Sequence, residues 1–384
     1  MKSNYKKLGE FIHLVDERNS DLAITNLQGV SITKEFIPSI ANIIGTDLST
    51  YKIVRTGQFA YGPVTSRNGD KVSIALLKGE DCIISSSYVP FEVYKPDELL
   101  PEYLMLWFMR PEFDRYARFM SNGSAREVFD WNSMCDVELP VPPISEQRKI
   151  VHDYQVITDR IELLRKINNG LELQAQIIFH SLFIDVHETN CTLADICNIN
   201  PQRMLKRDEP AMCFEMATLP TSGSMPMGGE IKPYNGGARF KNGDTLLARI
   251  TPCFENGKAA YINNLGANEV AFGSTEFIVF SSKDNIPSSF YYFLVRNKKF
   301  RDFGMQFMNG SSGRQRISGD EFGSFSMKRP SQHSIDKFSV IGEKTLTAMN
   351  HYSKEISILL QVQNYICTGI STFTKGQKNY SSDI

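Results

Sequence analysis

Asn122-Gly123-Ser124-Ala125-Arg126 returns as Asn309-Gly310-Ser311-Ser312-Gly313-Arg314, 187 positions later in a chain of 384 residues. Other landmarks keep nearly the same register. Leu8 and Leu193 open the two halves at an offset of 185, Pro101 and Pro287 precede similar aromatic-rich stretches at 186, and Phe59-Ala60 matches Leu247-Ala248 at 188. So small a drift reads as one domain duplicated, and a period far longer than a solenoid repeat implies two whole domains. The chain is long enough for each to bury its own core.

Composition narrows the class. With 41% hydrophobic and 22% charged residues the chain reads as an ordinary globular protein. Its longest apolar run is too short to span a bilayer, and Met1-Lys2-Ser3-Asn4-Tyr5 leads into charge, so no membrane partner and a cytoplasmic location are expected. Seven cysteines (82, 135, 191, 197, 213, 253, 367) include no Cys-x-x-Cys pair and read as buried free thiols. Six scattered histidines give no His-Glu-x-x-His, and no metal is assigned. A net charge of −1 argues against a globally basic nucleic-acid binder, yet residues 191–332 carry 17 basic against 13 acidic side chains while residues 1–145 carry 15 against 19. The second half is therefore locally basic, which is compatible with modest phosphate contact.

In the first half, strand-like runs occupy Lys52 to Tyr61, Ser73 to Leu77, Cys82 to Ser85 and Val89 to Tyr94, separated by turn signals such as Arg67-Asn68-Gly69-Asp70. Pro101 to Met120 reads as a helix interrupted near Arg110-Pro111. The segment Ile144 to Phe183 then changes character, with no proline, a single glycine and a seam at steps of three and four: Ile150, Tyr154, Ile157, Ile161, Leu164, then Leu171, Ala175, Ile178, Leu182. Asn168 alone breaks it, as register-fixing polar residues do. A second seam runs from Phe338 and Ile341 through Met349, Tyr352, Ile356, Leu359, Gln363, Ile366 and Ile370. Two apolar stripes that each demand a partner are most economically paired with each other, antiparallel if the halves are related by a pseudo-twofold. The alternative packs each helix on its own domain.

Catalytic motifs are missing. Asn256-Gly257-Lys258-Ala259 lacks the earlier glycine and the Ser/Thr of a P-loop, and Asn200-Pro201-Gln202-Arg203 fails as an amino-methyltransferase motif at its third and fourth positions. Glu230-Ile231-Lys232 has nuclease-like spacing, but the only Pro-Asp pair, Pro96-Asp97, lies in the other half. No nucleophile elbow occurs. The chain reads as a binder.

The binding candidates are three pairs of polar loops at matched positions. The Gly/Ser loops supply Asn122, Ser124 and Arg126 in one half, and Asn309, Ser311, Ser312, Arg314 and Arg316 in the other. Glycine lets backbone approach a phosphate or groove edge, and arginine can clamp phosphate or read guanine. Loops after the strands at Phe59 and Leu247 supply Tyr61, Thr65, Arg67 and Asn68, then Arg249, Thr251, Asn256 and Lys258. The third pair supplies Ser86 and Tyr88, then Ser274 and Thr275. A solvated hairpin tip or a helix C-cap would use similar residues, and the repetition at matched positions favours binding.

The assembled pattern resembles the specificity subunits of type I restriction-modification systems, over nearly the whole chain. Its most specific parts are Leu139-Pro140-Val141-Pro142-Pro143-Ile144-Ser145-Glu146-Gln147-Arg148-Lys149-Ile150, similar to the family's proline-rich helix start with its Glu-Gln pair, and Ala248 to Ala259 with Ala271 to Phe277. The resemblance implies a mixed α+β fold in which two pseudo-symmetric target-recognition domains, 1–143 and 189–332, are joined by two long antiparallel coiled-coil helices, 144–188 and 333–373, before a polar tail, 374–384. It implies that each domain reads half of a bipartite duplex DNA target, that the helices set the spacer, and that two methyltransferase subunits dock, with restriction or translocase subunits as further partners. S-adenosylmethionine and ATP would then belong to partner subunits, leaving this chain without cofactor or catalysis. The runner-up is a scaffold joining two partners through the same helices without reading DNA. One departure stands out: the second helix start, Lys328-Arg329-Pro330-Ser331-Gln332-His333-Ser334-Ile335, lacks the Glu-Gln pair.

Overall fold

A computed structural model describes residues 5–40, 45–66, 68–69, 71–121, 127–185, 188–311 and 313–371. They form two compact units, the first containing residues up to Asp159 together with those from Leu360 onward, the second containing Arg160–Leu359.

In the first unit, four short antiparallel strands lie in the order Ile12–Leu14, Val89–Val93, Phe59–Tyr61, Ile74–Leu76. Side chains alternate across the sheet as a two-residue period requires. Phe59, Tyr61, Ile74 and Leu76 face one core with the helices Pro101–Phe108 and Pro111–Met120, while Ala60 and Ala75 face a smaller cluster with Val54, Cys82 and Ile84. Phe59 stacks on Phe91 at 4.9 Å, with Phe108 edge-on at 5.8 Å. Proline opens both helices, where its missing N–H costs nothing. The run Lys52 to Tyr61 is not one strand but two, Lys52–Val54 and Phe59–Tyr61. Between them Gln58 N–H donates to the Arg55 carbonyl, and Gly57 takes φ +90°, which closes a turn that only glycine adopts freely.

The second unit repeats this sheet as Cys197–Ile199, Phe277–Ser282, Thr245–Ala248, Ala259–Tyr261, again all antiparallel. Helices Ser288–Arg296 and Lys298–Met305 follow. A second four-stranded sheet, ordered Glu230–Pro233, Pro210–Phe214, Val270–Gly273, Ala238–Lys241, includes one parallel pair. Among the described residues, the first unit has two-stranded pairings alone outside its main sheet, so the two copies diverge there.

The long helices run Ile144–Phe179, continued by a π-turn at His180–Ile184, and Gln332–Gly369. None of the seam positions named above is exposed. Within the second unit Arg160 Nε donates to Glu355 at 2.8 Å, Asn168 Nδ2 to Ser353 Oγ at 3.4 Å, and Phe179 meets Phe338 edge-on at 5.2 Å. One helix rises in number as the other falls, so the two run antiparallel there. Within the first unit Gln363 Nε2 donates to Thr158 Oγ1 at 2.7 Å, which places the polar break of the second seam against a hydroxyl of the first helix.

The two helix starts differ for a physical reason. Gln147, fourth residue of the first helix, is fully buried. Its Oε1 accepts from Leu100 N–H at 2.9 Å, and its Nε2 donates to the carbonyls of Glu98 at 2.7 Å and Pro142 at 2.8 Å. The fourth residue of the second helix is Ile335, also buried, so the hydrogen-bonded staple is replaced by apolar packing. Among the described residues, no helix is long and apolar enough to cross a membrane. All seven cysteines are free, and burial pushes the thiols of Cys82 and Cys197 up to about 12.

Candidate nucleic-acid interface

In the second unit, strand Thr245–Ala248 delivers its chain to Arg249, and the loop that follows is tied to the Gly/Ser loop by paired backbone groups. Ile317 N–H donates to the Arg249 carbonyl at 3.1 Å and Thr251 N–H to the Gln315 carbonyl at 3.0 Å. Gln315 N–H donates in turn to Thr251 Oγ1 at 2.9 Å. Asn309 and Arg316 exchange two backbone bonds of 3.0 and 2.8 Å, which closes a hairpin tip between them. Gly310 (φ +131°) and Gly313 (φ +79°) make the turn, and a Cβ on Gly310 would sit 3.0 Å from the Arg314 carbonyl. Asn309, Ser311 and Arg314 are exposed on this tip.

Glu276 gathers the third loop into the same place. Arg249 N–H donates to its carbonyl at 2.9 Å, Arg316 Nε donates to its carboxylate at 2.9 Å, and Arg249 Nε lies 3.9 Å from the same group. The second-half loops that were matched by sequence thus form one surface carrying Arg249, Thr275, Asn309, Ser311, Arg314 and Arg316. Glu276 stands beside Arg249 and Arg316, and Arg314 adds a further exposed cation to the tip. Ser274 turns inward, accepting from Glu276 N–H at 3.1 Å. Lys258 is held back by donating to the Met216 carbonyl at 3.0 Å, and Asn256 is exposed.

A buried arginine props this surface from beneath. Arg296 donates to the carbonyls of Gly257 and Thr221, each at 2.8 Å, and of Gly223 at 2.5 Å, and lies 3.2 Å from Glu172 on the first long helix. Tyr292 donates to Glu172 Oε1 at 2.7 Å, and burial holds its hydroxyl well above the ordinary phenol range. The loop that ends at Gly257 is therefore seated on the helix through charge-assisted bonds, which are stronger than neutral ones.

The first unit builds the same loop clamp. Thr65 N–H donates to the Glu127 carbonyl at 3.0 Å and Phe129 N–H to the Pro63 carbonyl at 2.9 Å, matching the Thr251 and Arg249 pairings. Three assignments need correction. Tyr61 is a core ring, 1% exposed, packed edge-on against Phe91 and Phe129, so it cannot present its hydroxyl to a partner. Thr65 and Thr251 are buried and their hydroxyls serve the clamps, Thr65 Oγ1 lying 3.0 Å from Ser121 Oγ and 3.2 Å from the Glu127 carbonyl. Asn68 and Tyr88 are half-buried, the Tyr88 hydroxyl accepting from Val30 N–H at 3.4 Å, and Ser86 is exposed. Arg67, Asn122, Ser124, Arg126 and Ser312 lie outside the described residues.

Sequence reasoning missed two clefts lined by basic side chains, of which Arg115, Arg118 and Lys34 in the first are paired with Glu112, Glu127 and Asp114. In the first unit, Lys71, Arg115 and Arg118 rim a cleft whose wall includes exposed Phe119, and the hairpin tip opposite is stapled by buried Lys34, which donates to Asp114 at 2.5 Å. In the second, Arg239 and Gln202 line a cleft of about 290 Å³ beside Thr275. The second cleft shares Arg249 and Thr275 with the repeated loops, but Arg239 and Gln202 lie outside them, and the repetition was the signal that found the others.

Residues 6–173 match the family model described as "Type I restriction modification DNA specificity domain". The chain is 35% identical over 132 residues to the specificity subunit of the type I restriction enzyme EcoAI from Escherichia coli, a match covering 33% of this chain and 22% of that protein. The EcoEI specificity subunit from the same species is 32% identical over 148 residues, 36% of this chain and 24% of that protein. The chain therefore spans about a quarter or less of these relatives in alignment. The crystal structure of the type I restriction-modification S subunit from M. genitalium shares the fold, with a TM-score of 0.56 and 14% identity over 95% of each chain. These findings agree with the resemblance read from the sequence, the match to the type I specificity model falling on residues 6–173.

Proposed function

We propose that this chain, which matches the type I specificity model over residues 6–173, is the DNA-recognition subunit of a type I restriction-modification complex acting in the cytoplasm. Each unit reads one half of a bipartite duplex target, and the paired helices set the spacer and dock two methyltransferase subunits, with restriction or translocase subunits as further partners. S-adenosylmethionine and ATP act on those partners, and this chain supplies recognition without bond chemistry. The family match carries the reading. The geometry supports it over a scaffold role, because the second unit's polar loops converge on one arginine-bearing surface, as base and phosphate contact requires.

The test is an exchange of residues 5–143 for the corresponding segment of a relative with another target. One half of the methylated motif should change while the other half and the spacer persist. If both halves change together, or neither does, independent reading is wrong.

A further inference from the structure

The arginines on the second unit's loop surface differ in what holds them. Arg316 and Arg249 share Glu276, which cancels one of their charges. Arg314 stands exposed at the hairpin tip with no side-chain partner among the described residues. Arg239 is different again. It leaves strand Ala238–Lys241 on the side opposite buried Phe240, its Nη2 donates to Gln202 Oε1 at 3.3 Å, and its guanidinium lies 5.9 Å from the Tyr234 ring centroid. Both neighbours are neutral, so Arg239 is oriented without losing its charge.

Shape decides what such a group can meet. Arg239 is half-buried in a cleft and does not project from a tip. Base edges lie at the floor of a DNA groove and are reached by protruding side chains, whereas the phosphate ridge is convex and enters a cleft. Gly237, in the cleft's lining, packs so closely on Gly273 that a Cβ there would sit 2.0 Å from the Gly273 carbonyl oxygen. We propose that the cleft of Arg239, Gln202 and Thr275 is a phosphate-binding subsite, in which Arg239 takes a backbone phosphate of duplex DNA and fixes the second unit's register without reading sequence. Gln202 is a positioning residue that orients the guanidinium. This rests on the reading of the chain as a DNA-recognition subunit.

The full-length chain is titrated with a duplex bearing its methylation motif and with a scrambled duplex, across salt concentrations. Arg239→Ala should weaken both duplexes alike, by roughly 8-fold at 0.1 M salt, and reduce the slope of log affinity against log salt by about 0.9, the loss of one phosphate contact. Gln202→Glu keeps the arginine but sets a carboxylate beside it, and should reproduce the smaller slope, an effect that lost packing would not give. A folded Arg239→Ala protein with unchanged affinity and slope overturns the subsite. Relaxed preference at a single base pair with an unchanged slope also overturns it, in favour of base reading. If the unaltered chain does not distinguish the two duplexes, the DNA-recognition reading fails by itself, and the slope change still judges the subsite. If it binds neither duplex, both fail.

Discussion

Gln147→Leu should destabilise the first unit and leave its loop surface intact. The side chain is fully buried and makes three hydrogen bonds, to Leu100 N–H, the Glu98 carbonyl and the Pro142 carbonyl. Leucine fills nearly the same volume, so the loss is polar. Three bonds at a net of about 0.5 to 1.5 kcal/mol each put the cost at about 2 to 4 kcal/mol. Leu100 is the residue before helix Pro101–Phe108, which carries Trp107. The chain's two tryptophans, Trp107 and Trp131, both belong to the first unit, so tryptophan fluorescence follows that unit selectively. With an m-value of about 2 kcal/mol/M in urea, the midpoint should fall by about 1 to 2 M at constant m. A midpoint within about 0.2 M of the parent would refute the staple and leave the Glu-Gln pair without a structural reason.

Three further outcomes follow from the geometry. Arg296→Met leaves half-buried Glu172 with the Tyr292 hydroxyl and without its counter-charge, and takes the donor from three carbonyls, so it should cost about 3 to 5 kcal/mol, with faster hydrogen exchange in peptides spanning residues 249–261; slow exchange there would mean that the loop holds itself. Arg314→Ala should cost about 1 to 3 kcal/mol and relax one position of the target if the arginine reads guanine, and target profiles identical at every position would remove it from the readers. Asn168→Leu removes a buried amide whose Oδ1 has no partner; thermal melting should rise while cross-linking across the helices shows more than one register, and a single register would show that the asparagine does not specify pairing.

The long helices were legible because a seam without proline has few other solutions, and even Asn168 and Gln363 marked polar contacts that the structure contains. The apolar run from Lys52 to Tyr61 reads as one strand because its composition hides the turn at Gly57, whose φ of +90° divides it. Tyr61, Thr65 and Thr251 were misread for one reason: a polar residue beside a strand end can serve a partner or close its own loop, and only the position of the neighbouring amide or carbonyl decides. Arg239 was invisible because it alternates with buried Phe240 like any solvent-facing strand residue. Its partner Gln202 is 37 positions away and reaches it through the fold. Arg296 reads as an ordinary helix-end cation until its three carbonyls are seen.

The central claim is that this chain gives a methyltransferase complex its target sequence. The direct measurement is genome-wide adenine-methylation profiling of the organism that carries it, with the gene intact and deleted. The account predicts one bipartite motif, two short defined blocks around a fixed unspecified spacer, methylated in the first case and absent in the second. A methylation pattern that is the same in both would contradict it.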